Sequence, residues 1–117
     1  MYFPTFTSLP EDSDRSGANR PVKHWCLLAE IVKLIPYLRP MFTAKDKAGK
    51  EFIVTMYLDN GVALPDFWHK YCKPGNVVTI MYAKRHNFMD GQRGIRVEKL
   101  GTMEVLNFFC VSRMVYL

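Results

Sequence analysis

Cysteine is scarce in this chain: three residues, Cys26, Cys72 and Cys110, lie far apart and form no C-x-x-C pair. An odd, scattered set argues against a disulfide framework and against a self-contained zinc site, although one bridge between two of the three stays open. A reducing, intracellular compartment, nuclear or cytoplasmic, is the expectation. Long apolar runs are missing too. No stretch reaches the roughly 18 to 20 residues that span a bilayer, and the first twenty residues lack a basic region followed by an apolar one, so neither a membrane span nor a secretory leader is expected. The longest apolar region, near the carboxyl terminus, is broken by Asn107, Ser112 and Arg113. The marks of catalysis are absent: no G-x-S-x-G, no Gly-rich phosphate loop, and no pairing that spacing defends among Glu30, Glu51, Asp59, Asp66 and Asp90. His69 and Cys72 supply only two metal ligands, and His24, Cys26 and His86 are scattered. The chain is therefore expected to be no enzyme and to hold no cofactor and no metal.

What is present is apolar, aromatic and basic. Of 117 residues 49% are hydrophobic and 14% aromatic, enough for one domain with a real core. The net charge of +5 favours nucleic acid, anionic lipid or an acidic partner without choosing among them. Residues 1–21 read as a flexible tail: Pro4, Pro10 and Pro21 punctuate it, and Glu11 to Asn19 shows no apolar period. Tyr2, Phe3 and Phe6 stand out, with rings able to pin the terminus to the domain or to a neighbour.

The domain itself spans 22–101. From His24 to Ile35, Trp25, Leu27, Ala29 and Ile31 alternate with Cys26, Leu28, Glu30 and Val32, the pattern of a long strand, with a helix as the other reading. Two prolines hold the connection Ile35 to Pro40. Met41–Asp46 and Glu51–Leu58 alternate around the turn Asp46-Lys-Ala-Gly49 and predict a hairpin with Phe42, Ala44, Phe52, Val54 and Met56 inward. Ala63–Tyr71 predicts a short helix, stopped by Lys73-Pro-Gly75. Val77–Lys84 and Gly94–Leu100 predict two more strands around a loop, His86–Arg93. Residues 102–117 form an apolar extension that fits either a helix or an extra strand.

Strand, strand, strand, short helix, strand, strand is the plan of an all-β, five-stranded OB-fold barrel with one short helix. The opening segment strengthens this. Lys73-Pro-Gly-Asn-Val-Val-Thr-Ile80 and the loop His86-Asn-Phe-Met-Asp-Gly91 resemble the OB domains of telomere-end-binding proteins and replication protein A, in which a helix ends in a Pro-Gly-Asp-like turn before a β-branched strand. Asn76 stands where an Asp is usual. Asp46-Lys-Ala-Gly49 is similar to that family's hairpin turn. The resemblance covers about residues 24–100 and implies a fold that binds oligonucleotides, oligosaccharides or proteins.

Two sets of residues fit a groove on such a barrel. Tyr82, Lys84, Arg85, His86, Phe88, Arg93 and Arg96 lie in and beside the last loop; Tyr37, Arg39, Thr43, Lys45 and Tyr57 lie on the first connection and the hairpin. The rings would stack bases and the cations would meet phosphates of single-stranded DNA or RNA. The bland alternative is that the rings pack on the barrel and the cations are merely solvated. A rival function is protein interaction or homo-oligomerisation through residues 102–117 and Tyr2–Phe6. A third reading takes the chain as one domain of a larger protein.

Overall fold

The computed structural model describes residues 1–14, 21, 23–35, 39–57 and 70–106. Seven strands form one sheet: β1 (Cys26–Ile35), β2 (Met41–Asp46), β3 (Glu51–Met56), β4 (Val77–Met81), β5 (Arg85–Asn87), β6 (Arg93–Val97) and β7 (Met103–Leu106), in the order β5-β6-β3-β2-β1-β4-β7. All neighbours are antiparallel except β3 and β6, which run parallel with Ile53 opposite Gly94. Strands β4 and β5 lie towards opposite ends of this order, yet only Tyr82, Ala83 and Lys84 separate them. Four Cα steps reach at most roughly 14 Å. The sheet therefore closes on itself, with β4 and β5 as two halves of one bent strand. The bend is held in place: Tyr82 has φ 55°, its N–H donates to the Trp25 carbonyl at 3.0 Å, and the Trp25 indole N–H donates to the Ala83 carbonyl at 2.9 Å.

The alternation expected for β1–β3 is realised. Trp25, Leu27, Ala29 and Ile31, with Phe42, Ala44, Phe52, Val54 and Met56, fill the barrel interior together with Val78, Ile80, Ile95 and Val97. Val77, by contrast, is only half-buried. The hairpin turn rests on Asp46, whose Oδ1 accepts the N–H groups of Ala48 and Lys50 at 3.0 and 2.9 Å, while Gly49 supplies the positive φ of 85°. The turn after the expected helix uses Asn76 for a reason. Its amide donates to the Tyr71 carbonyl at 2.6 Å, capping the helix end, and a carboxylate in its place cannot donate. Lys70 and Tyr71 are helical; Ala63–His69 lie outside the described residues.

Three stretches of the sequence reading gain detail. The stretch expected as a loop from His86 begins with β5, which pairs with β6, so the turn shortens to Phe88–Gln92. In the extension at 102–117 the strand reading is the one realised over Met103–Leu106, which form β7 beside β4; residues 107–117 lie outside the described residues. The first fourteen residues are set against the barrel. Phe6 is 3% exposed and Leu9 1%, and Tyr2 exchanges backbone hydrogen bonds with His24 and Cys26. Residues 9–12 run beside β5, with the Arg85 N–H donating to the Pro10 carbonyl at 2.8 Å and the Asp12 N–H to the Arg85 carbonyl at 2.9 Å. This strap covers an edge that would otherwise offer open backbone groups.

Candidate functional site

Period two sets the outer face of the β2–β3 hairpin. With Phe42, Ala44, Val54 and Met56 inward, Met41, Thr43 and Lys45 on β2 and Ile53, Thr55 and Tyr57 on and just past β3 point away from the core. The β5–β6 hairpin borders this face because β6 pairs with β3. That pairing requires a glycine. A Cβ on Gly94 would sit 2.2 Å from the Ile53 carbonyl oxygen and 2.9 Å from Cε2 of Phe88. Its absence lets the Phe88 ring lie over β6, edge-on to His86 with centroids 4.7 Å apart.

Between Phe88 and Tyr57 opens a cavity of about 240 Å³, walled also by Arg39, Met41, Ile53 and Thr55, with Asp90 and Gln92 at its border. The guanidinium carbons of Arg39 and Arg96 stand 4.1 and 4.0 Å from the Tyr57 ring centroid. Cation–π attraction orders both arginines, and a guanidinium plane stacked on a ring extends the platform open to a further flat group. Thr55, 3% exposed, leaves its hydroxyl oxygen without a hydrogen-bond partner among the described residues.

The cations differ in what they already hold. Glu11 accepts from Arg93 at 2.7 Å and lies 3.8 Å from the Arg85 guanidinium; His86 Nδ1 is 2.5 Å from Asp12 Oδ2. The strap thus places two carboxylates on His86 and on two of the expected phosphate contacts, Arg85 and Arg93. Arg96 pairs with Glu98 at 2.9 Å and Lys45 with Glu30 at 3.5 Å. Arg39 and Lys84 have no carboxylate partner among the described residues.

Of the residues singled out in the sequence, the structure gathers Arg39, Tyr57, Phe88 and Arg96. Tyr82 and Lys84 line a different cavity, of about 400 Å³, which Arg96 also borders. Tyr82 is fixed there, edge-on to Trp25 at 5.1 Å and hydrogen-bonded through its hydroxyl to Nδ1 of His24. Lys45 sits at the turn end of the hairpin face, and Tyr37 lies outside the described residues. Sequence reasoning missed Thr55, Gly94, Glu11 and Asp12 as site residues. Thr55 was signalled by its shared period with Ile53 and Tyr57; the two acids carried no local signal.

The buried cysteines are inert to this chemistry. Burial pushes the Cys72 thiol up to about 12 and raises that of Cys26, so both stay protonated. No cluster of His, Cys, Asp or Glu among the described residues can hold a metal, and no helix among them is long and apolar enough to cross a membrane.

No family model and no curated protein matches the sequence. Solved structures do match the fold. A chain of the S. pombe Stn1–Ten1 complex aligns over 84% of this chain and 68% of its own length, with a TM-score of 0.57 and 16% identity. The chain is an OB-fold. Two more OB-fold likenesses come from the same yeast. Schizosaccharomyces pombe Pot1pC bound to single-stranded DNA of sequence CGGTTACGGT aligns over 93% of this chain and 99% of its own, at a TM-score of 0.51 and 10% identity. Fission yeast Pot1 with single-stranded DNA aligns over 84% and 43%, at a TM-score of 0.52 and 8% identity. The expected resemblance to telomere-end-binding proteins thus holds at the level of the fold.

Proposed function

We propose that this OB-fold is a non-catalytic binder of single-stranded DNA or RNA, which lies across the outer face of β2 and β3. The observation that carries the proposal is Tyr57, with two guanidiniums over its ring, lining an open cavity together with Phe88. Stacking surface and positive charge coincide there, which is what a single strand requires. The likeness to two Pot1 structures holding single-stranded DNA supports the reading. Arg39 and Arg96 are the first phosphate contacts, and Lys84 lies on the flank beyond Arg96.

Anisotropy titration with labelled strands of 10–20 nucleotides at two salt concentrations tests this. Binding should weaken with salt, and Tyr57→Ala should weaken it about 5- to 150-fold, the range for one stacked base. Failure to bind any strand at low salt would overturn the proposal. A second expectation concerns the strap. Glu11→Gln frees Arg85 and Arg93 for phosphates, so affinity should rise and the salt slope should steepen by about 1.4, two phosphates at roughly 0.7 each. Stability should change little, since these pairs lie at the partly exposed surface, where ion pairs are worth roughly 0–1 kcal/mol. An unchanged slope would show that neither arginine reaches the strand.

Protein interaction is the second reading. It is favoured by the apolar side chains Val32 and Leu34 exposed on the far half of β1 and by the likeness to a chain taken from a two-protein complex. A light-scattering mass equal to one chain would remove its homo-oligomeric form.

A further inference from the structure

The cavity lined by Phe88 and Tyr57 is small and mostly apolar, and Thr55, in its lining, has a buried hydroxyl with no partner among the described residues. A volume of about 240 Å³ corresponds to roughly eight waters at 30 Å³ each and lies below the roughly 300–1,000 Å³ of sites for drug-sized ligands. It is large enough for one flat ring system. Its lining suits such a ring: Phe88, Tyr57 with Arg39 over its ring, and the apolar side chains of Met41 and Ile53.

Thr55 is the feature that plain stacking does not explain. Its neighbours Val54 and Met56 point into the barrel, so its side chain leaves the strand on the cavity side. Its hydroxyl oxygen has no partner, and an unmet buried polar group opposes folding by about 1–3 kcal/mol. Valine has the same shape and is favoured in a strand, so packing alone gives no reason for threonine here. A rotation about χ1 exchanges methyl and hydroxyl in the cavity lining.

We propose that this cavity takes a single unstacked nucleobase of the bound strand and that Thr55 is its specificity residue, hydrogen-bonding the edge of the base that reaches it. The inference rests on the reading of this face as a single-strand binder. It adds that binding is base-selective at one position instead of uniform. Asp90 and Gln92, at the border of the cavity, are placed to meet the exposed edge of the same base.

The test compares labelled 12-nucleotide strands: oligo-dA, oligo-dC, oligo-dT, and oligo-dT with one central dG or one central abasic site. The intact protein should prefer one base about tenfold or more over the weakest, the size expected when a buried hydrogen bond is made or lost. Thr55→Val should bring all strands to within about threefold of one another, and Thr55→Ser should keep the preference. Thermal melting of Thr55→Val should equal or exceed that of the parent, because an unpartnered hydroxyl has been removed. Equal binding of all strands by the intact protein, or a preference that survives in Thr55→Val, would overturn the pocket while leaving single-strand binding intact. Absence of binding to every strand would overturn the functional reading itself, and the pocket's ligand with it.

Discussion

Gly94→Ala should lower the melting temperature by about 12 °C and collapse binding at the β2–β3 face. The added methyl carbon would stand 2.2 Å from the Ile53 carbonyl oxygen. That oxygen belongs to β3 at the point where it pairs in parallel with β6, so it cannot move without spreading the Ile53–Gly94 and Val54–Ile95 register. Overpacking against side chains is typically worth 1–3 kcal/mol, and a backbone obstacle belongs at the top of that range, about 3 kcal/mol. In a domain of this size each kcal/mol moves the midpoint by roughly 4 °C. The second contact, Cε2 of Phe88 at 2.9 Å, is the far end of a ring and gives way more easily. Its displacement removes one wall of the cavity, so affinity should fall even at temperatures where the variant is folded. A melt within a few degrees of the parent would show that β3 and β6 are held less tightly than the geometry implies.

The parts of this molecule that could be read in the sequence are those governed by local period and turn chemistry. Phe42, Ala44, Phe52, Val54 and Met56 alternate with polar partners, and Asp46 and Gly49 mark the turn between them; the inward face follows directly. What could not be read depends on closure of the barrel. Arg85, His86 and Asn87 have no apolar alternation, and β5 exists because its backbone is paired by β6 on one side and by the strap on the other. Tyr82 and Tyr57 look alike in the sequence as strand-end tyrosines. The bend at Tyr82 turns one against Trp25 and His24, while the other carries two arginines. Charge was legible but pairing was not: Arg93 meets Glu11 across 82 residues of chain. No window of sequence contains both.

Phe6→Ala should destabilise the fold by about 3–5 kcal/mol, the usual range for a buried phenylalanine, out of a total of roughly 5–15 kcal/mol. The segment around Phe6 has no helical or strand period, and its contribution comes from two single side chains that plug the barrel. The Phe6 ring lies parallel to Phe52, with centroids 4.4 Å apart, and its N–H donates to Asp46 Oδ2 at 2.7 Å, the same carboxylate whose other oxygen builds the β2–β3 turn. Loss of the ring empties a site closed by Leu9 and loosens the strap that Leu9 anchors. Phe3→Ala is the control: Phe3 is exposed, so its loss should change stability by less than about 0.5 kcal/mol. Urea midpoints for the two variants decide the matter. If they coincide, residues 1–14 merely rest on the barrel. If Phe6→Ala alone falls, the amino-terminal segment is part of the core, and its loosening has two further consequences. The edge of β5 opens to pairing with other chains, so the variant should aggregate at concentrations where the parent does not. Glu11 and Asp12 leave Arg85, His86 and Arg93, so whatever fraction stays folded should hold a single strand more tightly than the parent, with the steeper salt slope expected of Glu11→Gln. Stability and affinity then move in opposite directions through one segment, because the strap that completes the core also occupies the cations.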